Sequence, residues 1–354
     1  MPARTPKRVP NTDTPPEQPS HAPLQPTEGP RITVFDYSEQ DCREWHPTSS
    51  LECVPPPDTI SVRWINVDGI FDTRLVEEIG TRFGLSPLTI EDITTKDQQP
   101  KAEIHPEHGI IVVRMFRFAG LNHEIITEQV SIVFGPKFVL TFQEIEGDVF
   151  DPVRRRILDA GGRIRKGGSD YLAYSLVDVI VDYYFVILDE MSNMIETAQE
   201  RLITNPSGDV LREIYQIKRR VLELRRYTWP AREVVLRMER EGGQLFKKTT
   251  LPYLRDLYDH IIQVTDHIEI HREWLSSMLD IYLSSVTNRL NEVIKVLTVV
   301  STIAIPPTLI GSWYGMNFKF MPELNNYYFY PVLMIVTAAI SVAMLLMFRR
   351  RQWI

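Results

Sequence analysis

Residues 296–318 read VLTVVSTIAIPPTLIGSWYGMNF, and no charged side chain interrupts them. A second charge-free run, YYFYPVLMIVTAAISVAMLLMF, occupies residues 327–348. A helix needs about 20 residues, at about 1.5 Å each, to cross roughly 30 Å of hydrocarbon, and both runs reach that length. The competing reading makes them core helices of a large soluble domain, but core helices seldom run so far without a charge. Two membrane spans near the C-terminus are therefore the expectation around which the rest of the chain is arranged.

The flanks orient the spans. Arg349, Arg350 and Arg351 follow the second run, Arg289 and Lys295 precede the first, and the connection carries only Lys319, offset by Glu323. Lys and Arg concentrate on the cytoplasmic side, so both termini are expected in the cytoplasm, with residues 319–326 outside. Tyr327, Tyr328 and Tyr330 suit the outer aromatic belt and Trp353 the inner one. The first span contains Pro306 and Pro307 side by side, which donate no backbone hydrogen bond and are expected to bend the helix. It also carries the hydroxyls of Thr298, Ser301, Thr302, Thr308 and Ser312. That composition suits a surface facing water or protein, whereas the second span, with only Thr337 and Ser341, suits lipid. One such helix cannot enclose a pore, so a ring of like subunits is expected.

The 354-residue chain is mildly acidic, with 46 Asp and Glu against 39 Lys and Arg, which argues against a nucleic-acid partner. Two cysteines, Cys42 and Cys53, make no disulfide framework and suit a reducing compartment. Residues 1–30 hold nine prolines and few large apolar side chains, the composition of a disordered tail. Residues 31–145 read as a cytoplasmic α/β domain. β-branched and aromatic residues predict strands at Arg31–Ser38, Ser61–Val67, Gly109–Phe118, Glu124–Phe134 and Lys137–Gln143. Helical spacing marks Thr73–Phe83 and Pro87–Ile93. Residues 146–250 turn helical, with long stretches at Ser169–Ile203 and Ser207–Gly242 that end on Asn205-Pro206 and Gly242-Gly243.

A third helix starts near Leu251 and meets no breaker before the double proline, so residues 251–318 read as one stalk running into the first span. Leu254, Leu257, Ile261, Val264, Ile268, Leu275, Met278 and Tyr282 alternate steps of three and four, the period of a coiled-coil seam, with His271 in its one polar slot. Residues 319–326 form the outer loop, 327–348 the second span and 349–354 a basic cytoplasmic tail.

No Gly-rich phosphate loop, nucleophile elbow or paired CxxC occurs, so an enzyme is not expected. The segment HIEIH, His267 to His271, places two histidines at i and i+4, but its glutamate is one position away from zinc-protease spacing and His271 lies on the seam, so a structural role is favoured. Carboxylates are frequent: Glu91 and Asp92 in LTIEDI, Asp178, Asp182, Asp189 and Glu190 on the first long helix, and Asp256, Asp259, Asp266, Glu269 and Asp280 on the stalk. Most of these read as solvated helix faces.

YGMNF (Tyr314–Phe318), followed by MPEL (Met321–Leu324), resembles the CorA magnesium transporters. The likeness extends through TNRLNEVIKVLT (Thr287–Thr298), SSMLDIYLSS (Ser276–Ser285), LPYLRDLYDH (Leu251–His260) and GDVFDPVRRRI (Gly147–Ile157), collinear from about residue 35 onward. The resemblance implies a funnel-shaped homopentamer in the cell (inner) membrane, with an α/β cytoplasmic domain, long stalk helices and two C-terminal transmembrane helices. It implies influx of magnesium, with cobalt or nickel as further cargo. Gly315, Met316 and Asn317 would form the selectivity ring, and Asn291, Leu297, Ile305 and Thr308 would line the pore, with Leu297 and Ile305 as hydrophobic constrictions. Asp92 and Asp256, with Glu91 and Asp178 nearby, would hold regulatory magnesium between subunits. The chain departs from the family's usual pattern at Ile305, often Met, at the double proline, and in its lighter basic tail. Two alternatives stand beside this reading: a zinc-transporting relative, which the full GMN and MPEL motifs disfavour, and a membrane metal sensor that does not conduct.

Overall fold

The computed structural model describes residues 30–69, 73–119, 124–241, 243, 245–316, 321–351 and 353. The Pro-rich residues 1–29 and residues 317–320, which include Asn317, lie outside them. The described chain divides into two compact units, one containing residues up to Thr197 with Tyr215–Leu275, the other Ala198–Ile214 with Ser276–Ile354.

The first unit is built on a seven-stranded sheet. Its strands are β1 (Arg31–Tyr37), β2 (Cys42–Trp45), β3 (Val62–Asp68), β4 (Lys101–Ile104), β5 (Gly109–Ala119), β6 (Glu124–Gly135) and β7 (Phe138–Gln143). They lie in the order β2-β1-β3-β7-β6-β5-β4. Only the β3–β7 pair is parallel. The five strands expected from sequence are all present, and two short edge strands, β2 and β4, add to them.

Period-two alternation sorts the sheet's side chains onto two faces. Ile32, Val34, Ile65 and Val67 point to one face, where they meet Val76 and Ile79 of α1 (Thr73–Arg82) and Ile93 of α2 (Pro87–Thr94). The α2 start is chemically marked: Pro87 opens it and the Ser86 hydroxyl accepts the Thr89 N–H at 3.1 Å. The other face carries Phe35 and Trp64, whose rings stack at 5.2 Å. Trp64 meets Phe150 edge-on at 6.0 Å, just ahead of α3 (Asp151–Leu158), and Phe116 meets Tyr184 of α4 (Ser169–Thr204) at 5.5 Å. A polar network runs beneath this face. Trp64 Nε1 donates to Thr141 Oγ1 (2.9 Å), Gln143 Nε2 to Asn66 Oδ1 (2.8 Å), Asn66 Nδ2 to Asp68 Oδ1 (2.9 Å), and Arg154 Nη1 to Asp148 Oδ1 (2.6 Å).

Three long helices follow the sheet: α4, α5 (Gly208–Glu241) and α6 (Leu251–Tyr314). The expected seam is real, since Leu254, Leu257, Ile261, Val264, Ile268, Leu275 and Met278 are all buried. His271 fills its slot at 3% exposure, its Nε2 2.8 Å from Ser192 Oγ of α4. Ion pairs tie α5 to α6, Arg225 to Glu269 at 2.6 Å and Arg255 to Glu239 at 2.7 Å.

In the second unit α4 ends where Asn205-Pro206 predicts, and α5 returns, with Leu202, Val210 and Ile214 buried in the turn and Arg201 paired to Glu213 at 2.5 Å. The same unit contains the rest of α6, helical through Pro306 and Pro307, and α7 (Phe329–Arg350). Tyr314 and Phe329 bring their rings together at 5.4 Å at the facing ends of α6 and α7.

Candidate functional site

Two features outside the core call for a function. The first is a group of metal-ligating side chains in the first unit. Asp178 and Asp182 stand one turn apart on α4, and His260 reaches them from α6, with one ligand atom of each lying within 4.8 Å of the others. Asp256, one turn before His260, places Oδ2 4.0 Å from its Nε2. Burial raises the Asp178 carboxyl to about 6; the charge of Asp182 pushes the same way, and the Tyr174 hydroxyl, Arg156 and His260 pull against it. The Nδ1 of His260 is buried without a hydrogen-bond partner. Phe185 presents a T-shaped ring contact to His260 at 6.3 Å and another to His267 at 6.3 Å.

Two carboxylates this close, Asp178 half-buried and Asp182 exposed, attract a divalent cation, which relieves their repulsion. The oxygens suit magnesium, which takes hard ligands and keeps much of its water, and the imidazole extends the range to cobalt or nickel. The donor set thus suits a divalent cation.

Of the four carboxylates expected to hold that metal, Asp178 enters this group, and Asp256 stands beside it. Asp92 and Glu91 belong to α2 and are not among its members. Asp92 instead accepts from Lys101 Nζ at 2.6 Å and from Gln98 Nε2 at 3.2 Å, while its backbone oxygen accepts from Gln129 Nε2 at 3.3 Å. Glu91 is exposed. Two members, Asp182 and His260, were not singled out by sequence: Asp182 reads there as part of a solvated face. Their signal was present, because Asp178/Asp182 and Asp256/His260 are both i, i+4 pairs, the spacing that puts ligands on one helix face. Of the HIEIH pair, His271 lies in the core on the seam and His267 is exposed.

The second feature is exposed apolar surface. Among the described residues three helices are long and apolar enough to cross a membrane: α4, α6 and α7. The most apolar window of α4 is 67% buried within the fold, whereas those of α6 and α7 are each 6% buried. Among the expected pore-lining residues, Leu297 is 65% exposed and Ile305 60%. Asn291 and Thr308 are exposed as well, and Thr308 turns its hydroxyl to the Ala304 carbonyl at 2.7 Å. At the end of α6 the Gly315 N–H closes on the Gly311 carbonyl at 2.9 Å, and Met316 is exposed. Asn317, the third member of the expected selectivity ring, lies outside the described residues.

Known transporters resemble this chain over most of its length. The family described as "CorA-like Mg2+ transporter protein" matches residues 61–350. The cobalt/magnesium transport protein CorA of Thermotoga maritima is 43% identical over 91% of this chain and 92% of its own length. The magnesium transport protein CorA of Salmonella typhimurium is 25% identical over 84% of this chain and 92% of its own. Among solved structures, the complete CorA magnesium transporter of Methanocaldococcus jannaschii superposes with a TM-score of 0.76 at 22% identity, covering 91% of this chain and 98% of that one. The α/β domain, the long helices and the exposed apolar pair at the C-terminus, together with these matches, make this chain a member of the CorA-like Mg2+ transporter family.

Proposed function

We propose that this membrane protein is the subunit of a homopentameric channel that carries magnesium, and cobalt, into the cytoplasm down the membrane potential. Magnesium on the cytoplasmic side closes it. The observation that carries the reading is the pair of charge-free, solvent-exposed helices that flank Gly315, Met316 and Asn317. Large apolar side chains at 60% exposure or more, such as Leu297 and Ile305, find their cover in lipid and in neighbouring copies of α6 around a pore axis.

The chemistry of the mouth suits a hydrated cation. Magnesium dehydrates reluctantly, and five neutral Asn317 amides offer carbonyl oxygens to its water shell without stripping it. A ring of carboxylates would hold the ion too tightly for release. No pump is needed, because two charges moving inward through 100 mV gain about 4.6 kcal/mol, twice the single-charge value. The Lys and Arg flanks favour both termini in the cytoplasm, where the metal-ligating groups would meet the internal ion.

Closure follows from the carboxylates. With Asp92 on one subunit facing Asp256 on the next, and Glu91 and Asp178 close by, the interface is self-repulsive until a divalent cation bridges it, so internal magnesium stabilises the symmetric closed ring. The test of conduction is magnesium uptake in a cell lacking its own magnesium transport. The intact chain restores uptake and Asn317→Ala abolishes it; unimpaired uptake by the variant overturns the role given to Asn317, and no uptake by the intact chain overturns the channel.

A further inference from the structure

We infer that Lys101 is a tethered competitor for the regulatory cation at Asp92, and that it sets the magnesium concentration at which the channel closes. The inference rests on the reading of Asp92 as a regulatory ligand given above. Its basis is the geometry around that carboxylate. Lys101 Nζ lies 2.6 Å from Asp92 Oδ1 and Gln98 Nε2 3.2 Å from the same oxygen. Oδ2 takes no hydrogen bond among the described residues. Asp92 is therefore held, with one oxygen occupied by an ammonium and the other open.

Lysine on an edge strand ordinarily points into solvent, where it keeps the edge from pairing with other chains. Lys101 sits on such a strand, β4, yet its side chain is only 31% exposed and turns toward α2, where the Asp92 side chain is 17% exposed. A second carboxylate receives the same ammonium, since Glu103 Oε1 is 3.1 Å from Nζ. The arrangement permits an exchange. An incoming divalent cation displaces Lys101 from Asp92, and Glu103 retains the displaced ammonium, so no charge is left without a partner. The local charge supports the same view: Asp92 and Glu103 together carry two negative charges against one positive. The cluster attracts a cation, though less strongly than it would without Lys101.

Removing the ammonium should tighten magnesium binding about fivefold, the equivalent of an ion pair of ~1 kcal/mol at 1.4 kcal/mol per decade. The experiment titrates the full-length protein in detergent with magnesium chloride and follows binding by calorimetry. Wild type is compared with Lys101→Met, Lys101→Gln, Lys101→Arg, Asp92→Asn and the Lys101→Met/Asp92→Asn double variant. Variants that keep the wild-type elution profile and near-UV spectrum are compared, and either neutral substitution of Lys101 suffices. The expected result is tighter binding in Lys101→Met or Lys101→Gln, near-wild-type binding in Lys101→Arg, and no effect of Lys101→Met once Asp92 is Asn. If Asp92→Asn weakens binding while neutral substitutions of Lys101 leave it unchanged or weaker, this inference fails and the regulatory reading of Asp92 stands. If Asp92→Asn leaves binding unchanged, the regulatory reading fails and takes the inference with it.

Discussion

Replacing His271 by leucine should stabilise the first unit, and the reason can be worked from its hydrogen bonds. His271 occupies a seam position on α6 at 3% exposure, between the buried Ile268 and Leu275. Its Nε2 lies 2.8 Å from Ser192 Oγ, and that hydroxyl donates to the Leu188 carbonyl at 3.1 Å. With its own proton spent on Leu188, Ser192 can only accept, so Nε2 carries the imidazole hydrogen and Nδ1 is a bare acceptor. That Nδ1 is buried without a partner. An unmet buried acceptor costs ~1–3 kcal/mol, and the bond lost to Ser192 is worth ~1 kcal/mol. Leucine at the same slot adds ~1–2 kcal/mol of apolar burial. The net gain is ~2 kcal/mol, which raises the melting temperature of a unit this size by about 4–8 °C. Burial, and then the charge of His267, hold the His271 pKa below its usual value, against the opposing pull of Asp189. A base with a depressed folded pKa loses stability as pH falls, because the unfolded chain takes up a proton that the folded chain refuses. The advantage of His271→Leu should therefore be larger at pH 5.5 than at pH 7.5. The assay is thermal melting of the full chain in detergent, followed by near-UV circular dichroism at the two pH values. A lower melting temperature in the variant would refute the reasoning, since it would mean that Nδ1 holds a water or an ion that leucine expels.

Two further outcomes are expected. Burial, then the charge of Asp148, raise the Asp68 carboxyl to about 7, so the folded chain keeps a proton that the unfolded chain gives up near pH 4. Stability from this group is complete below that point and declines until pH 7; Asp68→Asn should flatten the decline in melts taken from pH 4 to pH 8, and an unchanged slope would exclude Asp68 as its source. Asp256→Ala should raise the internal magnesium needed for closure, read as currents through reconstituted bilayers with controlled magnesium on the cytoplasmic side; an unaltered inhibition curve would remove Asp256 from the sensor.

What the sequence disclosed follows from where burial lies. Strands packed on both faces, such as β3 (VRWINVD) and β6, are rich in branched and aromatic residues because both faces must be filled, and they were legible. The edge strands β2 (CREW) and β4 (KAEI) were not, since a short strand paired on one side keeps charges that read as loop. The parallel β3–β7 pairing joins residues more than 70 positions apart and leaves no local mark. At the metal-ligating group the residue types were visible, but not the burial that distinguishes them. Asp178 and Asp189 look alike on the α4 sequence, but Asp178 is half-buried, with burial raising its carboxyl to about 6, and lies beside His260 of α6, whereas Asp189 is exposed.

The same distinction decides which span must face protein or water. Hydroxyl content does not decide it, although sequence suggests otherwise. Thr298 and Thr308 on α6 give their protons to the Ile294 and Ala304 carbonyls at 2.7 Å, and Thr337 on α7 does the same to Leu333 at 2.7 Å. Hydroxyls satisfied within their own helix are tolerable in lipid on either span. Proline separates the two. Pro306 and Pro307 remove the donors that a helix would supply to the Thr302 and Ile303 carbonyls, and in hydrocarbon each unmet carbonyl is costly. Pro331 of α7 lies in the first turn, where the missing N–H has no intrahelical partner to lose. In the proposed channel the backbone of α6 therefore needs partners that lipid cannot provide and that of α7 does not, which favours α6 over α7 as the helix turned to water or neighbouring subunits.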